Sequence, residues 1–151
     1  MKAINVYILI RVFIGGLFIV SGFNKIVNPV ENFQYIVETY DIFPDVLEVV
    51  IARVVPWLEL VFGIFCVLGL WLTWSLRGIF CLFVGFIIIL SQAIVRKLPI
   101  DECGCFGEGL SFPMPVMLLI DTTMLTLTFL MIRNMQRTRQ LSLDNVLDEK
   151  Q

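Results

Sequence analysis

Histidine is absent from all 151 residues. That excludes His-ligated haem, His-containing zinc sites and any nucleophile activated by an imidazole. Charge is also scarce: 16% of the residues are charged, against about 25% in soluble domains. The net charge is −2, so there is no basic surplus of the kind that binds nucleic acid. What the chain has instead is apolar residues, 58% of the total, with a mean hydropathy of +0.90. A chain this short has too much surface for its few polar groups to cover, so lipid is expected to do part of the solvation.

Four stretches are long enough to cross about 30 Å of hydrocarbon at about 1.5 Å per helical residue. They run over residues 4–23, 54–72, 76–95 and 114–132. Backbone polar groups in lipid must be satisfied internally, so each is read as a helix. The expected fold is therefore all-α, a four-transmembrane-helix bundle. Residues 1–133 form the membrane domain and 134–151 a polar cytoplasmic tail. Arg11 interrupts the first apolar run and no small-residue cleavage site follows Gly22, so that run reads as a retained anchor and not as a signal peptide. The fourth is rich in threonine (Thr122, Thr123, Thr126, Thr128), whose hydroxyls can bond back to helix carbonyls.

Between the first two spans, residues 28–53 are amphipathic and broken by Pro29 and Pro44. Phe33, Ile36, Val37 and Tyr40 recur at helical spacing while Glu31, Glu38 and Asp41 face elsewhere. This predicts a short interfacial helix on the membrane surface. A very short turn near 71–75 predicts an antiparallel hairpin of spans two and three. Trp57, Trp71 and Trp74 stand at the expected span ends. Lys2, Arg77, Arg133, Arg137 and Arg139 flank one side, against Lys25, Arg96 and Lys97 on the other. The positive-inside rule then puts both termini in the cytoplasm of a plasma (inner) membrane, with the last loop on the periplasmic side. Disulfides persist there.

That loop carries Cys103-Gly104-Cys105, flanked by Asp101, Glu102 and Glu108. Glycine permits the turn that brings two Cα atoms within about 4.4–6.8 Å, so the pair can close a small ring. A ring that small is strained, and strained disulfides exchange readily. It also removes little denatured-state entropy, which argues against a purely structural bond. Exchange is the leading reading. The alternatives are a staple for the turn and thiolate capture of Cu(I), and no metal site is assigned.

Ionisable groups inside the spans are the second signal, because they are costly unless paired or functional. Arg11, at a depth of about 18 Å, and Asp121, at about 12 Å, are expected to pair. Glu59 is expected near the outer face, within reach of Lys25. These four form a candidate intramembrane polar network that either holds the bundle together or serves a proton or quinone path. Gly15, Gly16, Ser21 and Gly22 favour close helix contact. Cys66 and Cys81, mid-span among apolar residues, read as inert small hydrophobes.

The spaced residues Arg11, Gly15, Phe18, Ser21, Gly22, Lys25 and Pro29 resemble the first helix of the DoxX/DoxD-like membrane proteins. Pro56, Trp57, Glu59, Gly63 and Gly69 resemble their second. The Cys103-Gly104-Cys105-Phe106-Gly107 loop, followed by the acid-bearing span of Asp121, is similar to the MauE branch. The resemblance covers about residues 7–132. It implies a four-helix membrane protein working beside a thioredoxin-fold partner, with a role in disulfide handling during maturation of methylamine dehydrogenase. Cys103 and Cys105 would then be the catalytic pair, and a lipid-soluble quinone the natural electron sink or source. The competing readings are a non-enzymatic membrane scaffold and, less favoured, a transporter. No pair of Gly/Pro-broken spans marks a midplane transport site.

Overall fold

The computed structural model of the chain describes residues 2–98 and 113–138. Within them the chain is helical: α1 (Lys2–Val27), α2 (Val30–Thr39), α3 (Asp45–Leu68), α4 (Leu72–Arg96), α5 (Met114–Arg133) and the single turn α6 (Met135–Thr138). Helices α1, α3, α4 and α5 are each long and apolar enough to cross a membrane. Only 22% of the most apolar window of α4 is buried against protein. Across the four helices, Leu9, Phe13, Val61, Ile88, Leu119 and Phe129 are among the exposed apolar side chains, a surface that a water-soluble protein would not tolerate and a bilayer solvates. The protein is a multi-pass membrane helix bundle.

The buried residues of α1 are Arg11, Ile14, Gly15, Phe18, Ser21, Gly22 and Lys25, a single stripe at helical spacing. That stripe lies antiparallel on α3. A Cβ on Gly22 would sit 2.6 Å from the Pro56 carbonyl oxygen and 2.7 Å from the Leu60 nitrogen. One on Gly63 would sit 2.8 Å from the Gly15 oxygen. The two backbones thus touch where neither has a side chain, as small-residue membrane interfaces do. Gly16 meets nothing within 4 Å and faces away. Helices α4 and α5 pack together on the other side. Ile14, Phe18, Cys66, Leu76, Ile79, Phe83 and Met131 fill the space between, with the Phe18 and Phe83 rings edge to face at 5.0 Å.

Three expectations shift. Helix α3 begins at Asp45 and not at Val54, because Pro44 presets the entry backbone and Asp45 and Glu48 occupy the positive end of the helix. Those same acids lower the local hydropathy that hid the start. Trp57 consequently falls midway along α3 and not at its end. Helix α2 turns Val37 and Tyr40 inward against the bundle. It therefore roofs the bundle. The α3–α4 turn falls at residues 69–71, earlier than expected, with Gly69 and Trp71 both left-handed (φ 72° and 43°), and Ser75 Oγ donates to the Phe62 carbonyl at 2.7 Å. In α5, Thr122, Thr123, Thr126 and Thr128 each donate to the carbonyl four residues back at 2.7–2.9 Å. This lets a polar-looking segment sit in lipid.

Candidate functional site

The last turn of α1 places Lys25 opposite Glu59 of α3. Its ammonium donates to Glu59 Oε1 at 2.7 Å and Oε2 at 2.9 Å, and to Ser21 Oγ at 3.1 Å. Ser21 in turn donates to Glu59 Oε2 at 3.0 Å. All three side chains are buried, Glu59 to 1% exposure. The Lys25 ammonium also lies 4.9 Å from the Phe33 ring centre and 5.5 Å from that of Phe86, so its remaining surroundings are aromatic faces that tolerate a cation. Closeness of the two helices makes this possible: Gly22, one residue beyond Ser21, rides on the α3 backbone at Pro56 and Leu60, either side of Glu59.

Asp121 is buried in α5 and looks onto the same cluster. With Ser21, Glu59, Phe18, Phe83, Phe86 and Met117 it lines a cavity of about 30 Å³. Its Oδ2 has no hydrogen-bond partner among the described residues. The expected Arg11–Asp121 pair is not formed. Asp121 stands level with Ser21, and Arg11 lies ten residues earlier on α1, about 15 Å along the helix. Arg11 reaches the other way, donating to the Thr138 carbonyl of α6 at 3.2 Å. Cys66 Sγ rests 3.6 Å from the Arg11 carbonyl. Depth counted along each span was a fair guide for Lys25 and Glu59, but it carries no information on which neighbour a side chain faces.

Sequence reasoning missed a second chamber. Phe33, Tyr40, Phe43, Ile51, Phe86 and Leu90 enclose about 190 Å³ beneath α2, with Lys25 at its inner wall and Cys81 on its rim. The helical spacing of Phe33, Ile36, Val37 and Tyr40 was the signal. That spacing alone suits a membrane-facing stripe, whereas the stripe faces a hollow. Burial pushes the Tyr40 phenol up to about 12, so it remains a hydroxyl throughout the physiological range.

Arg96 fastens the end of this roof. It donates to the Asp41 carboxylate at 2.9 Å, to the Asp41 carbonyl at 3.0 Å and to the Tyr40 carbonyl at 3.4 Å. The Asp41 side chain is 79% exposed, so the ion pair itself is screened. Asp41→Ala is expected to cost no more than about 1 kcal/mol. Arg96→Ala, which also abandons two carbonyls at the end of α2, is expected to cost more. Thermal unfolding in detergent orders the two, and equal losses would mean that the carbonyl contacts contribute nothing.

Cys103 and Cys105 lie outside the described residues. The described chain leaves α4 at Leu98, beside the Arg96 clamp, and resumes at Pro113, the start of α5.

The family model of the methylamine utilisation protein MauE matches residues 3–134. Among curated proteins, the methylamine utilization protein MauE of Paracoccus denitrificans is similar, 27% identical over 117 residues. That alignment covers 78% of this chain and 62% of the relative, so the chain spans less than two thirds of that relative's length. No solved structure matches.

Proposed function

The chain belongs to the MauE family, and from that premise we propose that it is a membrane thiol–disulfide redox component acting through Cys103 and Cys105. The observation that carries this reading is the Cys-Gly-Cys sequence inside the matched region, between Pro99 and Pro113. The distribution of Lys and Arg favours an oxidising compartment for it. In the oxidising direction, a thiolate of a thioredoxin-fold partner attacks one sulfur of the Cys103–Cys105 disulfide. A mixed disulfide forms and the other cysteine leaves as a thiolate. The partner's second thiol then resolves the mixed bond, so the partner gains a disulfide and this chain two thiols. The two electrons and two protons pass on to a lipid-soluble quinone, which becomes a quinol.

The chamber under α2 supports the last step. At about 190 Å³ it exceeds the roughly 150 Å³ of an apolar cavity that accepts benzene, and aromatic rings line it beside a buried cation. The relative's name points to methylamine utilisation, and an accessory role in maturing an enzyme of that process is the physiological form of the proposal.

The exchange is reversible: in the reverse direction a thiolate of this chain attacks the oxidised partner's disulfide, and this chain's second thiol resolves the mixed bond. Cys103→Ser or Cys105→Ser is therefore expected to trap a higher-mass, dithiothreitol-sensitive species with the partner. Each single variant should be as damaging as the double. No trapped species from either, with partner function intact, would leave a scaffold in place of a redox protein.

A further inference from the structure

One ammonium, that of Lys25, faces two carboxyl groups, Glu59 and Asp121. An ammonium has three hydrogens, and all three are committed, to Glu59 Oε1, Glu59 Oε2 and Ser21 Oγ. None remains for Asp121, which is 3% exposed and has an unpartnered Oδ2 on the wall of the cavity. Among the described residues, the other groups that face it add no cation. From α4 come Phe83 and Phe86, and from the residue that caps α2 the Tyr40 phenol, near enough to sense its charge. The Arg11 guanidinium is turned toward α6. A second carboxylate here would be an uncompensated charge in the interior of a membrane bundle, which a small positive ligand must cancel.

We propose that Asp121 and the cavity it shares with Ser21 and Glu59 form a binding site for one exchangeable proton. The cavity, about 30 Å³, has room for about one water, which needs at least 10–15 Å³ and two to four polar partners. Asp121, Ser21 and Glu59 supply those partners. A cavity water gives one proton to Asp121 and takes the one that Asp121 held, so the charge of the cluster is unchanged by each exchange. A metal cation is the poorer occupant, since the Lys25 ammonium already holds the Glu59 carboxylate on the same cavity. The inference rests on the cluster's geometry and is independent of the redox reading.

The test is an infrared spectrum of the full chain in lipid nanodiscs at neutral pH, without partner or quinone, compared with Asp121→Asn. Asparagine is neutral and nearly the same shape, so it preserves the uncharged state. The expected result is the C=O stretch of an undissociated carboxylic acid in the wild type. It should be absent from Asp121→Asn, should shift in D2O, and should be the same in sodium and potassium chloride. If Asp121→Asn does not fold, wild-type protein carrying 13C-carboxyl aspartate should show the same band moved by the isotope. Absence of any such band would overturn the proposal, as would a band indifferent to D2O. Loss of the band in sodium alone would assign the site to a metal ion instead.

Discussion

Lys25→Met is expected to destabilise the protein by about 3–5 kcal/mol, the cost of leaving one member of a buried ion pair without the other. Glu59 is 1% exposed and would keep only the Ser21 hydroxyl as a donor, with Asp121 across the cavity adding a second acid and no cation. Glu59→Gln is expected to be milder, because the amide oxygen still accepts from Lys25, but it leaves the ammonium unpaired. The decisive comparison is the double replacement of Lys25 and Glu59 by Met. Exchanging a whole buried pair for apolar groups of similar volume is often neutral or stabilising, so the double variant should recover most of the loss. Unfolding in mixed micelles with increasing dodecyl sulfate measures all three. A double variant as unstable as Lys25→Met would show that the pair's electrostatics are not the source of the effect.

Gly22→Ala is the second large effect, at about 1–3 kcal/mol for overpacking. The new Cβ would meet the Pro56 oxygen at 2.6 Å and the Leu60 nitrogen at 2.7 Å. Both are backbone atoms of a continuous helix, and neither can swing aside as a side-chain tip would. The only relief is separation of α1 from α3, which would also lengthen the Lys25–Glu59 contact one turn away. Larger side chains at position 22 should prevent assembly. Gly16→Ala is the matched control: it meets nothing within 4 Å, and alanine is the better helix former, so its unfolding midpoint should hold or rise. If both alanines behave alike, the close approach of α1 and α3 is wrong.

The bundle was legible because hydrocarbon thickness fixes the length of a span and lipid forbids polar interruption. Four apolar runs of the right length admit few other folds. Lys25 and Glu59 were legible as neighbours because both lie near the same end of adjacent antiparallel helices. Arg11 and Asp121 were not. Their depths were compatible within the error of counting, but rotation about each helix axis decides the partner, and rotation follows from packing of the whole stripe from Arg11 to Lys25. The start of α3 was obscured for a different reason. Asp45, Glu48 and Arg53 keep its first turns below the hydropathy of a span, so they read as part of the amphipathic stretch 28–53, although Pro44 followed by two acids is a strong helix-start signal. The hollow under α2 follows from where Phe33 and Tyr40 end up relative to Phe86, a relation between distant segments that periodicity within one segment does not contain.

The α3–α4 turn also constrains how the protein is made. Leu68 ends one span and Leu72 begins the next, with only Gly69, Leu70 and Trp71 between them, and Trp71 and Trp74 lie exposed at that end. A connection so short keeps the two helices side by side once both are in the bilayer, so α4 and its neighbour α5 stay beside the helix that carries Glu59. α1 also precedes α3 along the chain, so Lys25 is synthesised before the acid that it neutralises.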